Sequence, residues 1–169
     1  MPVEVAFDER FDRWIHRVQR VCWALMALAV AAAALGLFGN GVLGEATAAS
    51  AGTPALTVRY DRLARYLSPQ ELVVEVRSPP DTAPGMLEIA VSRGFLADVR
   101  LNGVTPEPQE VAVEGDRYVY RFPVDGWSEP VRVHFELEAD HWGRLHGSVQ
   151  ARAGGAESGT VSIRQWVYP

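Results

Sequence analysis

VRVHFELEA, residues 131–139, alternates apolar and polar side chains without a break. Val131, Val133, Phe135, Leu137 and Ala139 take one side, and Arg132, His134, Glu136 and Glu138 take the other. Successive side chains of a strand point to opposite faces, so this run reads as an antiparallel strand with one buried and one wet face. The same period recurs around it. Leu72, Val74 and Val76 alternate with Glu71, Glu75 and Arg77, and Leu87, Ile89 and Val91 alternate with Glu88 and Ser92. Tyr118, Tyr120 and Phe122 form a fourth inner row, Leu145, Val149 and Ala151 a fifth with Gly147 between them, and Val161 and Ile163 begin a last strand that ends at Tyr168. Weaker strand signals cover Leu56–Tyr60, Val99–Leu101 and Glu110–Glu114.

Turn residues separate these runs: Pro79-Pro80-Asp81, Pro84-Gly85, Asn102-Gly103, Gly115-Asp116, Asp125-Gly126 and Gly154-Gly155. DRLARYLS, residues 61–68, is expected to make a helical turn before Pro69, and no other helix is expected in this part. Short strands at such spacing predict an all-β, immunoglobulin- or fibronectin-like antiparallel β-sandwich of about 7–9 strands over residues 55–169. The cysteine pair and strand-borne Trp of antibody domains are absent, so the expectation concerns architecture and not membership of that family.

Upstream the pattern changes. Residues 45–54, EATAASAGTP, are small and polar and predict a flexible linker. Before them, Val21 to Gly44 carries no charge. As a helix this stretch would rise about 36 Å, against a hydrocarbon core of about 30 Å. It reads as a single transmembrane helix. Arg10, Arg13, Arg17 and Arg20 precede it and no basic residue follows until Arg59, which predicts an N-in, signal-anchor topology with the long C-terminal part outside. The competing reading is a cleaved signal peptide, with Ala46-Thr47-Ala48 as the A-x-A site. The apolar run is longer than a signal peptide's usual core, which favours the uncleaved anchor.

The first 20 residues form a cytoplasmic arm. Phe7, Phe11, Trp14, Ile15, Val18 and Cys22 recur at helical spacing, opposite Asp8, Glu9, Asp12, Arg13, His16 and Arg17. An amphipathic helix follows, lying at the inner interface or docking its aromatic stripe (Phe7, Phe11, Trp14) on a partner membrane protein. In the crossing helix, Ala32 and Gly36 are one of several small-xxx-small pairs that allow close helix approach, to another integral membrane protein or to a second copy. Cys22, the single cysteine, reads as a small apolar residue or an S-acylation site.

All 16 basic residues are Arg, which suggests a high-GC bacterial genome and hence an inner-membrane location with an extracytoplasmic domain. The net charge of −5 lies beyond the membrane segment, which argues against nucleic acid as a partner. His134, His141 and His146 are close in sequence, and His134 and His146 would form a surface metal site only if they faced outward on neighbouring strands. No G-x-S-x-G, S-x-x-K or Gly-rich phosphate loop is present, and no cofactor is expected. Trp127 and Trp142 both follow turn residues and are candidates for stacking on an envelope glycan such as peptidoglycan, or for anchoring an interface. The pattern as a whole predicts a non-catalytic accessory or interaction subunit of a larger membrane complex, with an anchored glycan-binding or sensor module as the alternative.

Overall fold

The computed structural model describes residues 9–34 and 44–169, with side chains from residue 14 onward. One helix, α1 (Glu9–Ala34), runs from within the expected arm into the crossing segment; residues 1–8 of the arm and 35–43 of the crossing segment lie outside the described residues, and Gly44, expected to end the crossing, is instead buried against the sandwich. Its stretch Trp14–Ala34 is long and apolar enough to cross a membrane. This span starts seven residues before Val21, because Trp14, Ile15 and Val18 add apolar length while Arg17 and Arg20 interrupt it only twice.

The rest is a two-sheet β-sandwich. Its strands are β1 (Glu45–Ser50), β2 (Ala55–Asp61), β3 (Leu63–Arg65), β4 (Pro69–Arg77), β5 (Gly85–Ser92), β6 (Val99–Thr105), β7 (Glu110–Glu114), β8 (Arg117–Val124), β9 (Val131–Ala139), β10 (Gly143–Ala153), β11 (Ala156–Glu157) and β12 (Val161–Tyr168). A short helix, α2 (Arg93–Ala97), links β5 to β6. One sheet has the order β1-β2-β4-β9-β6; the other has β3-β12-β10-β5-β8-β7, with β11 paired to β10.

Each expected strand is present, and β9 has the bounds read from its alternation. Twelve strands exceed the expected 7–9, for local reasons. Glu45–Ser50 is an edge strand and not a tether: it pairs with β2 from Glu45↔Asp61 to Ser50↔Leu56. Ala46 is buried there, and small side chains suit an edge that lies close over the core. Leu63–Arg65, expected within a helical turn, is a strand pairing parallel to β12, so the sandwich is not wholly antiparallel. Its backbone groups are taken up by the open edge of β12 before a turn at Tyr66-Leu67 can wind further. The five residues of α2 are too few to carry a helical period.

The two inner faces meet in one core. Leu72, Val74, Val133 and Phe135 from one sheet pack with Leu87, Ile89, Tyr120 and Ile163 from the other. Tyr120 meets Phe135 edge to face, with ring centroids 5.1 Å apart. Burying each such side chain contributes about 1.5–3 kcal/mol. The buried Gln165 sits at one end of this core, where its Nε2 donates to the Asp61 carbonyl at 2.9 Å and also to Gln70 Oε1.

Candidate interaction site

The outer face of the β1-β2-β4-β9-β6 sheet is concave, with a hollow of about 640 Å³. Strand alternation puts the acidic residues there, because the same period that turns Leu72 and Phe135 inward turns Glu71 and Glu136 outward. Glu45, Asp61, Glu71 and Glu136 line the hollow together with Arg59 and Asn102. Glu45 is paired with Arg59 at 3.0 Å, and Glu71 meets His134 Nδ1 at 2.5 Å. Asp61 and Glu136 have no cationic partner among the described residues. Glu71 and Glu136 stand opposite each other in register, an arrangement that costs stability when both are ionised. Burial pushes the Asp61 carboxyl above its ordinary value, with Glu45 and Glu71 adding to the effect. The hollow therefore holds a fixed negative charge that the fold leaves uncompensated.

On the other sheet the outward charges around Arg121 and Arg152 are paired off. Arg121 reaches Glu88, Glu110 and Glu114 at 3.0, 2.9 and 2.7 Å. Arg152 bridges Glu88 and Glu157, and Arg117 donates to Gln150. This part of the face, around β5, β7, β8 and the far half of β10, is a closed network with little charge to offer a partner.

The residues singled out from sequence scatter. Phe7 and Gly36 lie outside the described residues, as does the side chain of Phe11. Trp14 is exposed on α1 and Ala32 is half-buried. Trp127 and Trp142 do not form one platform. They sit beyond opposite ends of β9, whose nine residues extend about 30 Å. Trp127 is only 4% exposed and belongs to the core, whereas Trp142 is 73% exposed. Both follow a turn residue, so sequence does not separate a ring folded under the sandwich from one left outside. His134 and His146 are on different sheets, in β9 and β10, so the two-strand metal site fails. No group of three His, Cys, Asp or Glu suited to a metal occurs among the described residues.

No protein-family model matches the chain, and no curated protein sequence matches it either. Among solved structures, the fold is similar to a cohesin module from a Clostridium perfringens family 33 glycoside hydrolase, with a TM-score of 0.51 and 14% identity over 72% of this chain and 98% of that one. A cohesin–dockerin complex from Clostridium thermocellum matches with a TM-score of 0.44 at 7% identity, covering 73% of this chain and 99% of that one. The PmoD soluble domain from a Methylocystis species gives 0.38 at 12% identity, covering 72% and 97%. The first likeness shows the fold, a β-sandwich; an apolar helix precedes it in this chain.

Proposed function

We propose that this chain is a non-catalytic, single-pass accessory subunit of a larger membrane complex. It is anchored N-in by α1 in a bacterial inner membrane, and its sandwich is extracytoplasmic. The acidic hollow receives a basic segment of a partner integral membrane protein close to the bilayer. One observation carries this reading: Asp61 and Glu136 face the hollow without a cation, on strands held rigid by neighbours on both sides. Charge of one sign in a concavity steers an oppositely charged partner and weakens with salt.

The uncleaved anchor is supported by β1. Cleavage after Ala48 would remove Glu45–Ala48, and with them the buried Ala46 and most of the edge strand.

The test is purification of the full chain from its native membrane in mild detergent, with mass identification of what accompanies it. A stoichiometric membrane partner that is retained at low salt and lost from Asp61→Asn/Glu136→Gln is the expected result. A chain that purifies alone at low salt, or a partner indifferent to both substitutions, overturns the assignment of the hollow.

A further inference from the structure

The pole where the chain enters the sandwich is apolar and basic at once. The Arg62 N–H donates to the Gly44 carbonyl at 2.6 Å, and the Trp166 N–H donates to the Arg62 carbonyl at 2.7 Å. Gly44 is thus tied directly to the β3–β12 edge. Leu63 lies beside Trp166 in register, and Arg144 lies beside Trp166 on its other side, its guanidinium 5.4 Å from the ring centroid. Alternation puts Leu63, Trp166 and Arg144 on the outer face, since Ala64, Leu145 and Val167 are buried. The Tyr66 N–H donates to the Tyr168 carbonyl, and the Leu67 N–H donates to the Ala139 carbonyl, next to the turn that carries Trp142. Leu63, Tyr66, Leu67, Trp142 and Trp166 are all exposed there. Leu67 holds a φ of 55°, a conformation that costs a leucine about 1 kcal/mol or more and here keeps the side chain outside.

Arginines without a carboxylate partner gather at this pole. Arg59, Arg100, Arg121, Arg132 and Arg152 each have a carboxylate within 4 Å. Arg62, Arg65 and Arg144 at the pole have none among the described residues, and neither do Arg93, Arg117 and Arg164 outside it. Trp, Tyr and Arg around a leucine pair is the composition that partitions to a lipid headgroup layer, with indole and phenol at the interface and guanidinium on phosphate. Covalent reach agrees. The nine residues 35–43 between Ala34 and Gly44 let the pole lie no more than about 35 Å from the end of α1.

We infer that this pole docks on the outer surface of the bilayer, with Trp142, Trp166, Tyr66, Leu63 and Leu67 in the headgroup layer. Arg62, Arg65 and Arg144 lie against lipid phosphates. The domain's negative net charge does not oppose this, because interactions with a surface decay within about 8–10 Å at physiological salt; at the pole Glu45 and Asp140 are paired with Arg59 and Arg100, and the three unpaired arginines outnumber the uncompensated Asp61. The inference rests on the membrane-anchor reading and adds an orientation: β10 stands away from the bilayer, with Gly143 near it and the Gly154-Gly155 turn far from it.

The test uses the full chain with Cys22→Ser, reconstituted in vesicles of phosphatidylethanolamine and phosphatidylglycerol. A nitroxide is placed at His141→Cys, beside the patch, or at Ala156→Cys, at the far end of β10. The expected result is a label at 141 that collides with oxygen in preference to a water-soluble nickel complex, and the reverse at 156. Trp142→Asp with Trp166→Asp, both at exposed positions, turns 141 water-accessible without changing the thermal midpoint. Nickel access at 141 in the parent, or lipid access surviving the double substitution, overturns the docking. So does spin–spin broadening that marks a second copy on the patch. A chain lost from the vesicles in alkaline carbonate overturns the anchor, and the docking with it; a chain retained with 141 in water overturns the docking alone.

Discussion

The ring of Phe95 lies directly over the backbone of Gly147: a Cβ at position 147 would come within 2.6 Å of Phe95 Cβ and 2.7 Å of its Cγ. Phe95 is the buried residue of α2, and Gly147 is the gap in the inner row of β10 between Leu145 and Val149. The missing side chain in the alternating row is the seat of a helix that has no periodicity of its own.

Gly147→Ala therefore overpacks this contact and is expected to destabilise the domain by about 1–3 kcal/mol. Thermal unfolding of the full chain in detergent, followed by tryptophan fluorescence, checks the value. Phe95→Leu is costly in the parent and less so beside Gly147→Ala, because the smaller side chain relieves the clash. Simple additivity of the two would mean that the residues do not meet.

The strand assignment of residues 45–50 separates two neighbours. Ala46→Asp puts a carboxylate into the core and is expected to unfold the edge or the whole domain, whereas Thr47→Asp points outward opposite Arg59 and is expected to be near neutral. A flexible tether would tolerate both equally. N-terminal sequencing of the mature protein adds to this: a start near Ala49 would contradict the anchor.

Asp61 provides a pH dependence with a definite sign. Burial, then Glu45 and Glu71, hold its folded pKa above the ordinary 3.8. The folded state thus favours the protonated acid, and that contribution is present below 3.8 and lost as pH rises through the raised value. At neutral pH the ionised carboxyl opposes folding. Asp61→Asn is expected to raise the melting temperature at pH 7, with a gain that fades towards pH 3.8 and below. An equal gain at both ends of that range would exclude titration as its cause.

Trp127 and Trp142 are expected to behave oppositely. Trp127→Ala empties part of the core at a cost of about 3–5 kcal/mol, whereas Trp142→Ala leaves stability nearly unchanged. If an isolated wall polysaccharide binds the chain, Trp142→Ala alone would abolish it; loss with a folded Trp127→Phe variant would restore the two-tryptophan platform.

Arg121 holds the edge strand β7, since Glu110 and Glu114 both turn to it from that strand. Arg121→Gln is expected to lower hydrogen-exchange protection across residues 110–114 and to leave β9 protected. Unchanged exchange there would show that backbone pairing with β8 suffices.

Alternation alone was enough to locate nine of the twelve strands and their inward rows, because each period-two run needs one dry face wherever the strand sits. Of the uncharged run 21–44, residues 21–34 belong to α1, whose stretch Trp14–Ala34 is long and apolar enough to cross a bilayer, and residues 35–43 lie outside the described residues. Three kinds of feature depended on the tertiary structure. Residues 45–50 and 63–65 are strands only because β2 and β12 offer them open edges, a pairing that no local pattern encodes. The two loop tryptophans part company because one lies over the core and the other past the end of β9. The uncompensated acids of one face and the aromatic, basic pole at Gly44 each gather residues distant in the chain, through hydrogen bonds and register that exist only once both sheets have formed.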